Sequence, residues 1–426
     1  MNWKLTLAAF LAGSSALLAQ GPLRLTLSQA QQLAIQNNPQ FTAARYNAAA
    51  AYQVVPQYKA AYQPTLGANF TSVGSDNGSR IAAGGLNNPV VYNRVGSGLV
   101  ASQMITDFGR TGNLVGMAKL QASAQDQVTE TTRAQILLNT SRAYFAVLRA
   151  RAVLQVANQT VAARQVVSDQ VTALAESKLK STLDVSFANV NLADAKLLLA
   201  QAQNDVKSAE ADLAAAMGLP NDTGFDLQEE PAPPPMPDRV QDLVTTALAD
   251  RPELKTLRLQ ESAAQRFTRA EHDLYFPTVG VIGAAGLVPA GVDTVPERYG
   301  AIGLNVSIPI FTGGLIKARQ TAAEMKAKAA GENVNDLAIR VTRDVRVAFL
   351  NATTAADRMA LTKQLLDQAR LALDLAQSRY DIGLGSMVEL STAQLNLTSA
   401  QIADTSAHYD YQSQRILLDY QIGALH

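Results

Sequence analysis

The chain contains no cysteine. That excludes disulfides, thiolate metal sites and a cysteine nucleophile. It also excludes a lipid-anchored amino terminus of the bacterial lipoprotein type, which needs a cysteine after the signal. Net charge is absent too: 36 basic residues balance 36 acidic ones, and no basic stripe is present, so nucleic acid is not an expected partner. Charged residues make up only 17% of the chain and aromatics 6%. The three histidines, His272, His408 and His426, are scattered without ligand-spaced partners and read as structural, so no metal or cofactor is expected. Asp107-Phe108-Gly109 spells the kinase magnesium motif, but no Gly-rich phosphate loop or catalytic-loop motif accompanies it. No Ser-His-Asp or metal-ligand cluster stands out, and the chain reads as a non-enzyme. Beyond the first residues, no run reaches the ~18 apolar residues of a transmembrane helix. An integral membrane passage would therefore have to use strands.

What the chain does have is a copy of itself. Ala34, Pro39, Tyr62, Pro64, Thr65 and Gly67 recur at one constant offset as Ala247, Pro252, Tyr275, Pro277, Thr278 and Gly280. Ser181, Asn191, Leu192, Ala195 and Gly218 recur at a second constant offset as Ser386, Asn396, Leu397, Ala400 and Gly423. The slip between the offsets falls in a Gly/Asn-rich stretch, where a loop absorbs it. Such duplication marks a repeat architecture, in which each unit buries its apolar face against another. The expected organisation is a signal peptide over 1–19, a first repeat over 20–219, a Pro-rich linker over 220–238 and a second repeat over 239–426. Lys4 supplies the signal's positive start, Leu5 to Leu18 its apolar core and Ala19 its cleavage position.

Each half reads as short helix, longer helix, strand, loop, strand, very long helix, long helix. Ser28 is the expected N-cap of the first helix, and Pro39 opens the second. Pro64 forces that helix to end. The period then changes to two: Leu66, Ala68 and Phe70 alternate with Gly67, Asn69 and Thr71. The last strand is clearest, with Ile302, Leu304, Val306 and Ile308 alternating with Gly303, Asn305 and Ser307. Strict alternation gives one apolar face, which fits either a soluble core or lipid. The loops at about Gly74–Asn93 and Val288–Arg298 are rich in Gly, Asn and Pro. The helical stretch from Gly112 to Lys180 contains only one further glycine, Gly116, and no proline. A helix of about 65 residues spans roughly 100 Å, which suits a coiled coil better than a globular domain. Glu229-Glu230 lies in the Pro-rich linker and reads as solvated.

The order of elements, twice over, resembles the TolC-like outer-membrane efflux proteins. So do TLSQAQQLAIQNNPQ at the first helix, YQPTLG and YFPTVG before the strands, TDFGRTGN and IFTGGLIKAR at the strand-to-helix turns, and RYDIGLGSMVELSTAQLNLTSAQ at a helix tip. The resemblance covers nearly the whole mature chain. It implies a mainly α fold with a small β part: a tandem-duplicated helical coiled-coil barrel plus four strands per chain. Three chains would then close a 12-stranded transmembrane β-barrel in the outer membrane, continued by a periplasmic helical tunnel. The implied work is passive export of drugs, metals or polypeptides, delivered by a periplasmic adaptor and an inner-membrane pump. The alternative is a soluble periplasmic coiled-coil scaffold with a small β-head. If the barrel forms, Ile302, Leu304, Val306 and Ile308 face lipid.

The resemblance also implies a gate. Asp184 and Tyr380 match a link between helix tips, and Glu389 matches an acidic ring. Ile382-Gly383-Leu384 matches an adaptor-docking turn, and the first tip lacks its glycine. Gly385 falls where some members carry a basic link residue, and Thr392 where they carry a second acidic ring. Four residues separate Leu179 from Asp184 and eight separate Tyr380 from Glu389, so the first tip is expected to be shorter by about one helical turn.

Overall fold

The computed structural model describes residues 23–74, 76, 93–220, 224–231, 233, 236–237, 239–290 and 297–425. The expected signal peptide, much of both Gly-rich loops and parts of the linker lie outside them. In chain order the elements are β1 (Leu23–Leu25), α1 (Leu27–Asn37), α2 (Pro39–Lys59), β2 (Thr65–Val73), β3 (Arg94–Thr106), α3 (Arg110–Glu176) and α4 (Thr182–Ala216). There follow β4 (Phe225–Leu227), α5 (Val240–Asp250), α6 (Pro252–His272), β5 (Thr278–Ala290), β6 (Arg298–Ser307), α7 (Leu315–Asp381) and α8 (Met387–Gln421). The duplication is metrically regular. Both α3 and α7 have 67 residues, and both α4 and α8 have 35.

The described residues form two compact units, each drawing on both sequence halves. The first takes the described residues within 23–41, 132–247 and 342–425; the second takes those within 42–131 and 248–341.

In the first unit, α1 begins at Thr26 rather than at the expected Ser28. Thr26 accepts from the Gln29 backbone N–H at 3.3 Å, and the Gln29 side chain accepts from Thr26 N–H at 3.0 Å. This reciprocal pair satisfies two orphan donors at once. Asn38 ends α1 in an extended conformation, as a residue before proline must. Its side chain then accepts from Gln40 N–H at 2.8 Å and starts α2.

The unit also contains a parallel pair, β1 with β4, that was not anticipated. Three residues each are too few to display a period. Tyr144 on α3 is fully buried beneath this pair, its hydroxyl 2.6 Å from the Gln228 carbonyl and 3.0 Å from that of Leu25. Burial pushes its phenol up to about 12, so it remains a donor. The two linker glutamates are not merely solvated. Glu229 accepts from the Tyr409 hydroxyl at 2.6 Å, and Glu230 accepts from Leu27 N–H at 2.9 Å at the start of α1, where the helix dipole favours an anion. Both carboxylates therefore bind the linker to helices.

In the second unit, the four longer strands form one antiparallel sheet in the order β2-β3-β5-β6. The Asp107-Phe108-Gly109 motif is the cap of α3. Asp107 accepts from Thr111 N–H at 2.7 Å and from Gly109 N–H at 3.3 Å, while Phe108 and Gly109 take φ +53° and +112°. In the second half Gly313 and Gly314 make the same turn at +61° and +83°. A shared ion pair braces the unit: Glu271, almost fully buried, meets Arg319 through bonds of 2.6 and 3.0 Å.

Gly218 closes α4 in the left-handed region at φ +71°, and a Cβ there would lie 2.8 Å from the Asn37 carbonyl oxygen. Gly218→Ala therefore meets both strain and a backbone clash. It should destabilise the fold by roughly 1–3 kcal/mol, read as a lower unfolding midpoint of the detergent-solubilised protein in urea. An unchanged midpoint would contradict this packing of α4 against the end of α1.

Candidate functional site

Two places carry the expected function: the sheet of the second unit and the helix tips of the first.

The sheet's register aligns its apolar residues. Ile302 on β6 opposes Gly283, which opposes Ala101, which opposes Leu66 on β2. Through neighbouring rows the same face carries Leu304, Val281, Leu99, Leu287 and Phe70. Leu66 and Phe70, singled out by alternation in the first half, thus share a face with Ile302 and Leu304 from the second. Ile302 is 83% exposed and Leu304 68%. Val306 and Ile308 continue the alternation, Ile308 lying one residue past the end of β6. The other face carries Asn69, Ser102, Gly303, Asn305 and Ser307, together with Val100, Ile282 and Met104. Among the described residues, the outer strands β2 and β6 each have one neighbour.

The tips are two short turns, α3 to α4 and α7 to α8. The expected difference in length is overturned. Glu176 corresponds to Asp381 and Thr182 to Met387, at the offset that relates Ser181 to Ser386, so both turns span the same number of residues. Leu179–Asp184 and Tyr380–Glu389 are not equivalent pairs; the equivalents of Leu179 and Asp184 are Leu384 and Glu389. The hydrogen bonds agree. Lys178 N–H donates to Ala175 O at 2.9 Å and Leu179 N–H to Leu174 O at 2.9 Å. In the second tip Gly383 N–H donates to Tyr380 O at 3.1 Å and Leu384 N–H to Arg379 O at 2.8 Å. These are two Schellman caps. Where the second uses Gly383 at φ +79°, the first forces Lys178 to +62°, at a cost of roughly 1–2 kcal/mol. The missing glycine does not change the turn. Each presents a leucine to solvent, Leu179 at 70% and Leu384 at 71% exposed, with Ile382 beside the latter.

The three residues expected to form a gate lie at these tips with partners that differ from expectation. Asp184 belongs to a capping box: its carboxylate accepts from Ser181 N–H at 3.2 Å and from the Ser181 hydroxyl at 3.0 Å. Within one chain it makes no hydrogen bond to Tyr380. Tyr380 packs with Val171, Ala188, Met387 and Leu390 and is 5% exposed, and its buried hydroxyl has no hydrogen-bond partner. Burial, then the negative charges of Asp184 and Asp381, raise its pKa. Lys180 sets its ammonium 4.0 Å from the ring centroid, a cation–π contact. Glu389 is paired: Arg379 Nε lies 3.1 Å from its carboxylate. No sequence motif points to Lys180 or Arg379, although Lys180 is the repeat equivalent of Gly385, the position that matches a basic link residue. Thr392 donates to its own helix at Val388 O.

Above the tips the helices are cross-linked by polar pairs. Arg164 on α3, 4% exposed, donates to Gln394 on α8 at 2.5 Å. Ser168 meets Asn189 at 2.8 Å, and Asn191 donates to Ser391 at 2.8 Å. Among the described residues no helix is long and apolar enough to cross a membrane, and no group of three or more His, Asp or Glu could hold a metal ion.

Comparison with known proteins agrees with this geometry. The pattern of the outer membrane efflux protein family matches residues 30–219 and 243–424, one block in each repeat. The chain is 27% identical to the outer membrane efflux protein BepC of Brucella suis over 414 residues, covering 96% of this chain and 87% of BepC. It is 24% identical to the outer membrane protein TolC of Escherichia coli over 419 residues, covering 94% and 82%. In structure it is similar to the outer membrane protein VceC of Vibrio cholerae, with a TM-score of 0.79, 21% identity, and coverage of 93% of this chain and 96% of that one. The chain thus belongs to the outer membrane efflux protein family, and its work is efflux at the outer membrane.

Proposed function

We propose that three copies of this chain form one passive duct, fed in the periplasm by an adaptor protein and an inner-membrane pump. The observation that carries this reading is the sheet: four strands, two bare edges and one apolar face in register. An open edge cannot lie in lipid, because each unsatisfied backbone group costs several kcal/mol there. Joining β2 of one copy to β6 of the next removes every edge, and four strands from each of three copies make a barrel of twelve, within the range of outer-membrane barrels. The expected scaffold alternative lacks support once the family is known.

In the first unit, the tips form the gate. In a three-fold assembly Glu389 recurs around the axis, with Arg379 beside each carboxylate damping its charge. The Tyr380 hydroxyl is buried without a partner in the single chain; a repacking of the tip that exposes it would let it donate to an anionic acceptor such as Asp184, a bond worth roughly 1.5–3 kcal/mol if shielded from water. The adaptor docks on the solvent-facing turn Ile382-Gly383-Leu384. The like-shaped turn at Leu179 offers it a second site.

Mass measurement in mild detergent should return a trimer. Leu304→Arg should impair its assembly, by roughly 2–4 kcal/mol if the residue sits near the bilayer midplane, while Asn305→Arg should be much milder. A stable monomer, or equal damage from both substitutions, argues against the barrel.

For the gate, reversal potentials in planar bilayers give the test. Glu389→Gln should lower cation selectivity, and Arg379→Gln should raise it by releasing the carboxylate from its pair. If neither substitution moves the reversal potential, Glu389 does not line the constriction.

A further inference from the structure

At the end of the sheet remote from α7, the face opposite Ile302 and Leu304 carries an aromatic side chain, Tyr299, with Val288 nearby. Tyr299 on β6 opposes Gly286 on β5, Gly286 opposes Gly98 on β3, and Gly98 opposes Asn69 on β2. Along the same face of β6 the following residues are small: Ala301, Gly303, Asn305 and Ser307.

Two glycines side by side in one row leave a trough without side chains, a device that lets an aromatic lie against the backbone. Tyr299 lies in that trough. Its ring and hydroxyl fill the space that a Cβ at either glycine would need. A Cβ at Gly98 would overlap the hydroxyl oxygen, and one at Gly286 would stand 2.5 Å from that oxygen and 2.6 Å from Cε1. Any larger residue at Gly98 would lift the ring off the sheet.

We propose that Gly98 and Gly286 keep the duct's outer mouth wide by parking the Tyr299 side chain against its wall. The two glycines hold the ring flat against the wall. Were it lifted, three rings would converge towards the axis and narrow the passage, most of all for bulky solutes. The proposal rests on the duct reading, because only in a closed barrel does this face line a lumen.

Gly98→Ala is the informative substitution. Apart from the tyrosine's own atoms, the new methyl's nearest neighbour is the Ala285 carbonyl oxygen at 3.2 Å. The full-length trimer is measured in planar bilayers. Gly98→Ala should lower single-channel conductance roughly twofold by narrowing the pore. Tyr299→Ala alone should leave conductance near the parent value, and the double variant should return to it. An undiminished conductance in Gly98→Ala, or a loss that Tyr299→Ala does not reverse, overturns the proposal. The cysteine-free chain allows a second measurement that does not require Gly98→Ala to assemble. Tyr299→Cys should react with a bulky water-soluble thiol reagent, and the reaction should reduce conductance. An intact channel in which this cysteine stays unreactive shows that position 299 does not face the lumen. If the parent chain itself yields neither a trimer nor channel events, the duct reading fails and takes this proposal with it.

Discussion

A β-strand edge in a bilayer has no water to bond to. The nine residues of β2 and ten of β6 each present a row of backbone donors and acceptors on their open sides. In hydrocarbon that debt far exceeds the marginal stability of a folded domain. In the proposed duct, membrane insertion and association of copies are therefore one event. The alternation along β6, the register that carries it across to β2, and the small residues of the opposite face all serve the same closure.

The helical part follows a different logic. It is rich in alanine, and its buried positions include Ala30, Ala34, Ala188, Ala195, Ala202, Ala352 and Ala400. Small side chains let helices approach closely but give little geometric specificity. The polar ties supply it. The Tyr144 hydroxyl, Glu229 and Glu230 fasten the short parallel pair and the linker to α3, α8 and α1. Arg164 with Gln394 and Asn191 with Ser391 fix helix against helix near the tips. Each buried polar group is costly if separated from its partner, so the helices resist sliding past one another even where their apolar contacts are generic.

Much of this was legible in the sequence because prolines and periodicity punctuate it. Pro39, Pro64, Pro252 and Pro277 bound the elements they were expected to bound, and the shift to period two marked the strands. What failed has physical causes. Thr26 wins over Ser28 because Gln29 lies three residues after the former and can return its bond. The pairing of β1 with β4 depends on contacts far apart in sequence. The tip lengths were misjudged by comparing residues by chemical role rather than by repeat position, and Lys178 carries no local signal for a left-handed turn. The sequence also placed Asp184, Tyr380 and Glu389 at the tips, but not their partners. That Asp184 bonds Ser181 at the start of its own helix depends on backbone geometry, and the positions of Lys180 and Arg379 depend on how α3 and α7 pack.

The two tips are copies in shape but not in charge. Lys178 and Lys180 stand where the second tip has Gly383 and Gly385. In a ring of three chains, six turns of one geometry would alternate between cationic and neutral surfaces. The backbone of such a ring would have six-fold pseudosymmetry, and its side chains would reduce it to three-fold. A partner touching every turn would meet two kinds of neighbour. It could use the common leucines to grip and the alternating lysines to choose which turn it grips first.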